Sequence, residues 1–327
     1  MRKGWKIAGA ALGALILFVT LNNASWLAPK GSGRIVLLAH RGVAQTFSHA
    51  GLKMDGCTAT RIDPPRHGFL ENTIPSMAQS FRLGADIVEI DVHETTDGRF
   101  AVFHDWTVDC RTDGHGETSA HSMAYLKTLD IGYGYTADGG KTYPFRGKGV
   151  GMMPSLDEVL AQFPGRRILI NIKSNDPLEG RDLAKYIATL PAPSRARLMF
   201  YGSGERPMAE LRRRLPDLPV MSTQQLKSCA FGYIALGWTG YVPGACHHTM
   251  ILAPVNDTWL AWGWPNRFLA RMRSVGTVVI VTGPYSAQSG LTGIDTKADL
   301  GRLPPDYDGG IWTNEIDVIA PTLRTRR

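Results

Sequence analysis

The 327-residue chain has no dense basic tract, no C-x-x-C pair and no glycine-rich loop after its first buried-looking run. The first absence argues against nucleic acid as a partner. Net charge is +7, and Arg2, Lys3 and Lys6 at the N-terminus account for three of those charges. The mild balance that is left favours anionic ligands or an anionic surface. The missing C-x-x-C spacing argues against structural zinc. The missing glycine loop argues against a doubly wound nucleotide fold, whose first turn carries one.

A small-residue cleavage pattern is also lacking: Asn22-Asn23-Ala24 is not A-x-A. The segment before it reads as a basic n-region, MRKGWK, and an apolar h-region, Ile7 to Leu21. The run is shorter than the roughly 20 residues that span a bilayer comfortably. Cut as a signal or kept as an anchor with its basic end inside, it places the rest of the chain outside the cytoplasm, periplasmic or secreted. Residues 1–33 are therefore read as leader and linker, with Ser25 to Gly33 as the linker, and 34–327 as the folded domain. Apolar residues make up 43%, enough for a sizeable core. Four cysteines suit an oxidising compartment. Disulfides Cys57–Cys110 and Cys229–Cys246 are expected, one of the three pairings that four cysteines allow.

The stretch around which the chain is organised is GADIVEIDVHETTDGRFAVFHD, residues 84–105. Glu89 and Asp91 are two apart on an apolar strand, so both carboxylates point to one face. Two acids on a buried face are costly without positive charge. A divalent cation supplies it, since hard cations take carboxylate oxygens. An Arg or Lys partner is the rival reading. Thr95-Thr96-Asp97-Gly98 then turns the chain, and a second strand ends in His104-Asp105.

Upstream, Ile35–Ala39 is a short apolar run that ends in His40-Arg41-Gly42. Residues 43–70 lack a period and read as a long loop. Glu71-Asn72-Thr73 precedes a helix that Gly84 stops. Residues 111–153 read as an inserted, loop-rich subdomain with one helical patch, Ser122–Leu129. From Pro154 onward, strands and helices alternate. Helices are expected at 155–163, 182–190, 207–215, 224–230, 266–275 and 295–300. Core strands begin at Ile35, Ile87, Ile168, Leu198, Val220, Ile251, Val278 and Gly310. Eight strands alternating with helices predict an α/β fold, a (β/α)8 TIM barrel whose site lies at the C-terminal strand ends. His40, Glu89, Asp91, Asn171, Lys173 and Asn314 all fall there.

HRG at 40–42, ENT at 71–73, GADIVEIDV at 84–92, the T-x-DG turn and HD at 104–105 together resemble the glycerophosphodiester phosphodiesterases. The likeness is specific from about Ile35 to Lys173, with a weaker echo in GGIWTN at 309–314. It implies a barrel that hydrolyses glycerophosphodiesters to glycerol 3-phosphate and an alcohol with Ca²⁺ or Mg²⁺. By resemblance, His40 and His104 are the acid–base pair. Arg41 and Lys173 face the phosphate, Glu89 and Asp91 hold the metal, and Glu71 borders the site, as does Asn314. One position departs from the pattern. The family's E-x-K motif reads Asn171-Ile172-Lys173 here, so the third ligand is a neutral amide oxygen that should hold the ion less tightly.

Three rivals differ in class. A relative of the phospholipase D-like toxins acting on lysophospholipids would suit a membrane anchor. A phosphodiester-binding homologue without activity would suit Asn171. A structural envelope protein would leave the ordered motifs unexplained. His93 is read as structural, His247 and His248 as solvated. Trp238, Trp259, Trp262 and Trp264 could cage a choline-like cation, pack a loop or touch a membrane interface.

Overall fold

Eight apolar runs line up as the staves of a parallel barrel. The structure, a computed structural model, describes residues 2–29, 31, 33–48, 51, 56–285 and 292–324. Lys30 and Ser32 of the expected linker, and 49, 50 and 52–55 of the long loop, lie outside the described residues, as do the side chains of Arg2 and Lys3.

The strands are β1 (Val36–His40), β2 (Ile87–Glu94), β3 (Phe100–Val102), β4 (Arg167–Ile172), β5 (Leu198–Gly202), β6 (Val220–Ser222), β7 (Met250–Pro254), β8 (Val278–Thr282) and β9 (Gly310–Thr313). Their order is β6-β5-β4-β2-β1-β9-β8-β7, and β3 pairs with β2 as the expected hairpin. The ring closes between β6 and β7 through isolated bonds rather than a ladder: Thr249 Oγ1 donates to the Val220 carbonyl at 2.9 Å. Residues facing into the barrel form their own cluster, among them Leu38, Ile87, Leu169, Met199, Ile280 and Trp312. The strand residues between them pack outward against the helices. Burial on both faces is why these runs are continuously apolar rather than alternating.

The helices are α1 (Arg2–Asn22), α2 (Ile74–Leu83), α3 (Met123–Leu126), α4 (Leu156–Gln162), α5 (Pro177–Ala188), α6 (Ala192–Arg195), α7 (Glu205–Arg214), α8 (Thr223–Leu236), α9 (Asn266–Ser274), α10 (Lys297–Gly301) and α11 (Ile316–Arg324). In α2, the Thr73 side chain accepts from the Ser76 amide and Gly84 ends the helix at φ 110°. Met77 and Phe81 on its inner face are buried against the sheet. Each such side chain is worth about 1.5–3 kcal/mol. Ser155 and Glu158 form the expected capping box of α4.

Several boundaries move. α5 begins at Pro177, earlier than expected, because Asp176 caps it and Pro177 suits a first turn. α8 runs past 230 to Leu236, with Ser222 as its cap. The helical patch in the insertion shrinks to Met123–Leu126. The insertion is nonetheless packed. Met123, Leu126, Tyr135, Phe145 and Met153 build a second core beneath the 56–70 loop, with Tyr135 edge-on to Phe145 at 5.7 Å.

Both expected disulfides are present. Cys57–Cys110 ties the long loop to the head of the insertion, with Cα atoms 5.8 Å apart. Cys229–Cys246 ties α8 to the turn before β7, at 4.8 Å. α1 stands clear of the barrel and is long and apolar enough to cross a membrane.

Candidate active site

The inward parity of the barrel interior continues past the apolar layer and becomes the site. On β1, Leu38 leads to His40; on β2, Ile87 leads to Glu89 and Asp91; on β4, Leu169 leads to Asn171 and then Lys173. On β5, Met199 leads to Tyr201, and on β9, Trp312 leads to Asn314. Strand register sets them side by side, with His40 opposite Glu89, Asp91 opposite Asn171, and Asn171 opposite Tyr201.

Glu89 and Asp91 are fully buried. Glu89 Oε1 accepts from the Tyr201 hydroxyl at 2.6 Å. Its Oε2 accepts from the Arg41 amide at 3.3 Å and lies 3.8 Å from His40 Nε2. Asp91 Oδ1 accepts from Asn171 Nδ2 at 2.8 Å and lies 3.8 Å from Lys173 Nζ. Asp91 Oδ2 accepts from Asn72 Nδ2 at 3.1 Å and lies 3.2 Å from Arg41 Nε. The two acids consequently titrate apart. Burial, and then Asp91, push Glu89 well up. Burial opposes ionisation of Asp91 as well, but Arg41, His104 and Lys173 override it and hold Asp91 well below the carboxylate range.

Arg41 reaches Asp91 because its backbone is left-handed, at φ 58°, and Asn72 is left-handed too, at φ 57°. Such conformations in non-glycine residues cost energy and persist where surrounding contacts hold them. Here the Asn72 amide donates to the Arg41 carbonyl at 2.9 Å, and Ser76 Oγ donates to the same oxygen at 3.1 Å. Gly42 sits against Ser76, where a Cβ would collide with its hydroxyl.

Each histidine is gripped at Nδ1. His40 Nδ1 is 2.6 Å from Asn314 Oδ1, and Asn314 Nδ2 donates to Asp295 at 2.8 Å. His104 Nδ1 is 2.6 Å from Asp105 Oδ1. With an acceptor oxygen at each Nδ1, the network assigns the proton to Nδ1 and leaves Nε2 bare. Burial, and then Arg41, hold both imidazoles below their ordinary pKa.

Behind His104 lies a buried ion network. Arg111 Nε donates to Asp105 Oδ2 at 2.8 Å. Arg111 also sits 3.1 Å from Glu71, whose other oxygen accepts from Arg41 at 3.0 Å. Burial opposes the Glu71 charge, and Arg111 and Arg41 more than restore it.

The sequence-expected residues thus converge: His40, Arg41, Glu71, Glu89, Asp91, His104, Asn171, Lys173 and Asn314 meet at one barrel end. Tyr201, Arg111 and Asp295 are additional. Inward parity two residues beyond Met199 would have found Tyr201; Arg111 carries no signal beyond its place after Cys110. Asn171 Nδ2 donates to Asp91 Oδ1, so its amide oxygen is the atom left for another partner. Its strand neighbour Asp91 is an ionised acceptor, which orients the amide that way. His93 is buried, its Nε2 3.4 Å from the His104 carbonyl. The four indoles form no common cage. Trp264 packs on Tyr307 at 5.4 Å, while Trp259 stands 75% exposed.

The donor set fits a hard divalent cation. All candidate donors are oxygens, and the buried Glu89–Asp91 pair leaves Glu89 short of countercharge. The set is lean, with two carboxylates. Among the described residues no three His, Cys, Asp or Glu side chains stand close enough to share an ion. A cation that keeps waters and takes one or two carboxylates suits such a site.

Fold and site together define an α/β-barrel hydrolase with an acid pair, two gripped imidazoles and flanking cations. A sequence profile of the Glycerophosphoryl diester phosphodiesterase family matches residues 40–190. The chain is 28% identical to a glycerophosphodiester phosphodiesterase of Bacillus subtilis over 67% of its own length and 70% of that protein's. It is 37% identical to one of Caldanaerobacter subterraneus over a shorter stretch, 32% of this chain and 39% of the other. The fold matches the crystal structure of the glycerophosphoryl diester phosphodiesterase domain of an uncharacterized Mycobacterium tuberculosis protein. That match has a TM-score of 0.62 at 16% identity, covering 90% of this chain and 100% of that one. Residues 40–190 carry the glycerophosphoryl diester phosphodiesterase family domain, which places the chain among the phosphoric diester hydrolases.

Arg111 joins the two halves of the buried network, and its removal takes one charged partner each from Asp105 and Glu71. Arg111→Met should lower stability by about 3–5 kcal/mol. Urea unfolding reads this directly, and an unchanged midpoint would contradict the network.

Proposed function

We propose that this chain hydrolyses glycerophosphodiesters to glycerol 3-phosphate and an alcohol, with His40 and His104 as acid–base pair and a divalent cation at Glu89 and Asp91. The observation that carries the reading is the pair of imidazoles, each gripped at Nδ1 by an oxygen, in one opening with an acid pair and two cations.

Phosphodiester cleavage needs the phosphoryl charge neutralised, a nucleophile deprotonated and an alkoxide protonated. Arg41 and Lys173 supply fixed positive charge where the phosphate lies. Glu89 and Asp91 would hold the cation, with Asn171 turning its amide oxygen toward it. The ion would add Lewis-acid stabilisation of the phosphoryl oxygens. One imidazole takes the proton of the attacking hydroxyl, from water or from the substrate's own glycerol. The other, once protonated beside the anionic substrate, gives its proton to the leaving oxygen. Asp105 and Asn314 keep each ring in register through these transfers.

Two disulfides and an apolar α1 support an extracytoplasmic setting, with α1 as signal or anchor. α1 also favours a second reading, hydrolysis of lysophospholipids at a bilayer. Turnover of lysophosphatidylcholine against glycerophosphocholine separates the two.

His40→Ala and His104→Ala should each lower kcat by about 10²–10⁴-fold on a panel of glycerophosphodiesters. Chelator should abolish the wild-type rate and added Mg²⁺ or Ca²⁺ restore it. Wild-type rates in either variant, or indifference to chelator, would defeat the mechanism. Asn171→Glu restores a third carboxylate, so half-maximal activity should need at least about tenfold less divalent cation; an unchanged requirement would remove this position from the ion's shell.

A further inference from the structure

The stretch from α8 to the loop before α9 matches none of the site motifs, yet six of its large apolar side chains are exposed. Among the described residues, more than half of the large hydrophobic side chains exposed outside α1 lie either just after it, at Trp26 and Leu27, or between Phe231 and Trp262. Trp26 and Trp259 are each 75% exposed and Phe231 70%; Leu27, Ile234 and Leu236 are exposed as well.

Hydrogen bonds make this one surface. Asn22 and Asn23, ending α1, both donate to the Trp238 carbonyl, at 3.0 and 2.9 Å. Arg271 on α9 donates to the Asn22 carbonyl at 2.8 Å, to Asn23 Oδ1 and the Tyr233 hydroxyl at 3.0 Å, and to the Gly237 carbonyl at 2.9 Å. The Tyr233 hydroxyl donates to the Trp262 carbonyl at 2.9 Å, and Trp262 Nε1 donates to the Ile234 carbonyl at 2.8 Å. Ser25 Oγ accepts from the Asn266 amide at 3.0 Å. The base of α1, α8, the loop with Trp259 and Trp262, and the start of α9 are therefore one fixed collar.

Clustered exposed apolar side chains mark a contact surface. What covers this one follows from α1. Gly4–Asn22 is apolar, clear of the barrel and long enough to span a bilayer, and it rises from the collar itself. A bilayer that receives α1 meets the collar next. Indole and phenol rings suit that depth, with an apolar body and a polar edge. Charge agrees: from Leu218 to Asn256 the chain contains no Asp or Glu, so nothing there repels anionic headgroups.

We propose that the collar docks the barrel directly on the membrane interface, so that the enzyme is held against the bilayer and does not swing on a tether. The loop bearing Trp259 leaves the C-terminal end of β7, the barrel end that carries the site. The proposal stands apart from the catalytic reading, since no collar residue touches the site groups.

The test uses the full chain, with α1 retained, in phosphatidylcholine–phosphatidylglycerol vesicles. A Trp5→Phe background removes the indole inside α1. Vesicles containing bromine-labelled lipid should quench part of the remaining tryptophan emission relative to unlabelled vesicles. Adding Trp26→Phe and Trp259→Phe should remove at least half of that quenching, with glycerophosphodiester turnover in detergent unchanged. Emission indifferent to brominated lipid would overturn the proposal, and so would quenching that survives the two added substitutions. Emission shielded from an aqueous quencher equally in vesicles and in detergent, with a cross-linked dimer in both, would assign the collar to a second copy of the chain and equally overturn it.

Discussion

Two carboxylates buried two residues apart on one strand impose the constraint that the site is built to meet. Neither Glu89 nor Asp91 touches water. An uncompensated pair in that position would cost several kcal/mol, so the surroundings must supply positive charge or keep one acid protonated. The chain does both. Arg41, Lys173, Asn72 and Asn171 converge on Asp91, while Glu89 keeps a hydroxyl donor and a raised pKa. The strained backbones of Arg41 and Asn72 follow from this demand, because only a left-handed turn at the end of β1 swings the guanidinium back over β2.

From that centre the order of the site spreads outward. Arg41 needs Glu71, Glu71 shares Arg111, and Arg111 holds Asp105 behind His104. The Cys57–Cys110 bridge sits next to Arg111 in the chain and anchors the network to the packed insertion. On the other side, Asp295 and Asn314 perform the same service for His40. The two imidazoles are thus held by unrelated devices, a buried ion network and a strand-end amide, which leaves their environments unequal. Inequality of that kind suits the proposed acid–base pair.

Much of this was legible in the chain. Continuous apolar runs with polar residues at their ends implied strands buried on both faces, and eight of them implied a closed barrel. Period-two spacing placed Glu89 and Asp91 together, and Ser155-x-x-Glu158 marked a helix start. Other features had no local signal. Arg111 lies in a stretch rich in turn residues, and only tertiary packing against Thr58 and Tyr135 makes it a buried cation. α5 was longer than its apolar periodicity suggested because Asp176 caps it earlier, and α8 continued past 230 to Leu236. The orientation of the Asn171 amide could not be read from sequence, since it depends on the charge of the neighbouring strand.

The proposed mechanism requires two imidazoles whose Nδ1 atoms carry the proton and whose Nε2 atoms are free to meet the phosphodiester. Nitrogen-15 chemical shifts of His40 and His104 at neutral pH report this directly. Both rings should show a protonated Nδ1 and a bare Nε2, and glycerol 3-phosphate should shift the Nε2 resonances. A bare Nδ1 on either ring, or Nε2 signals that ignore the ligand, would contradict it.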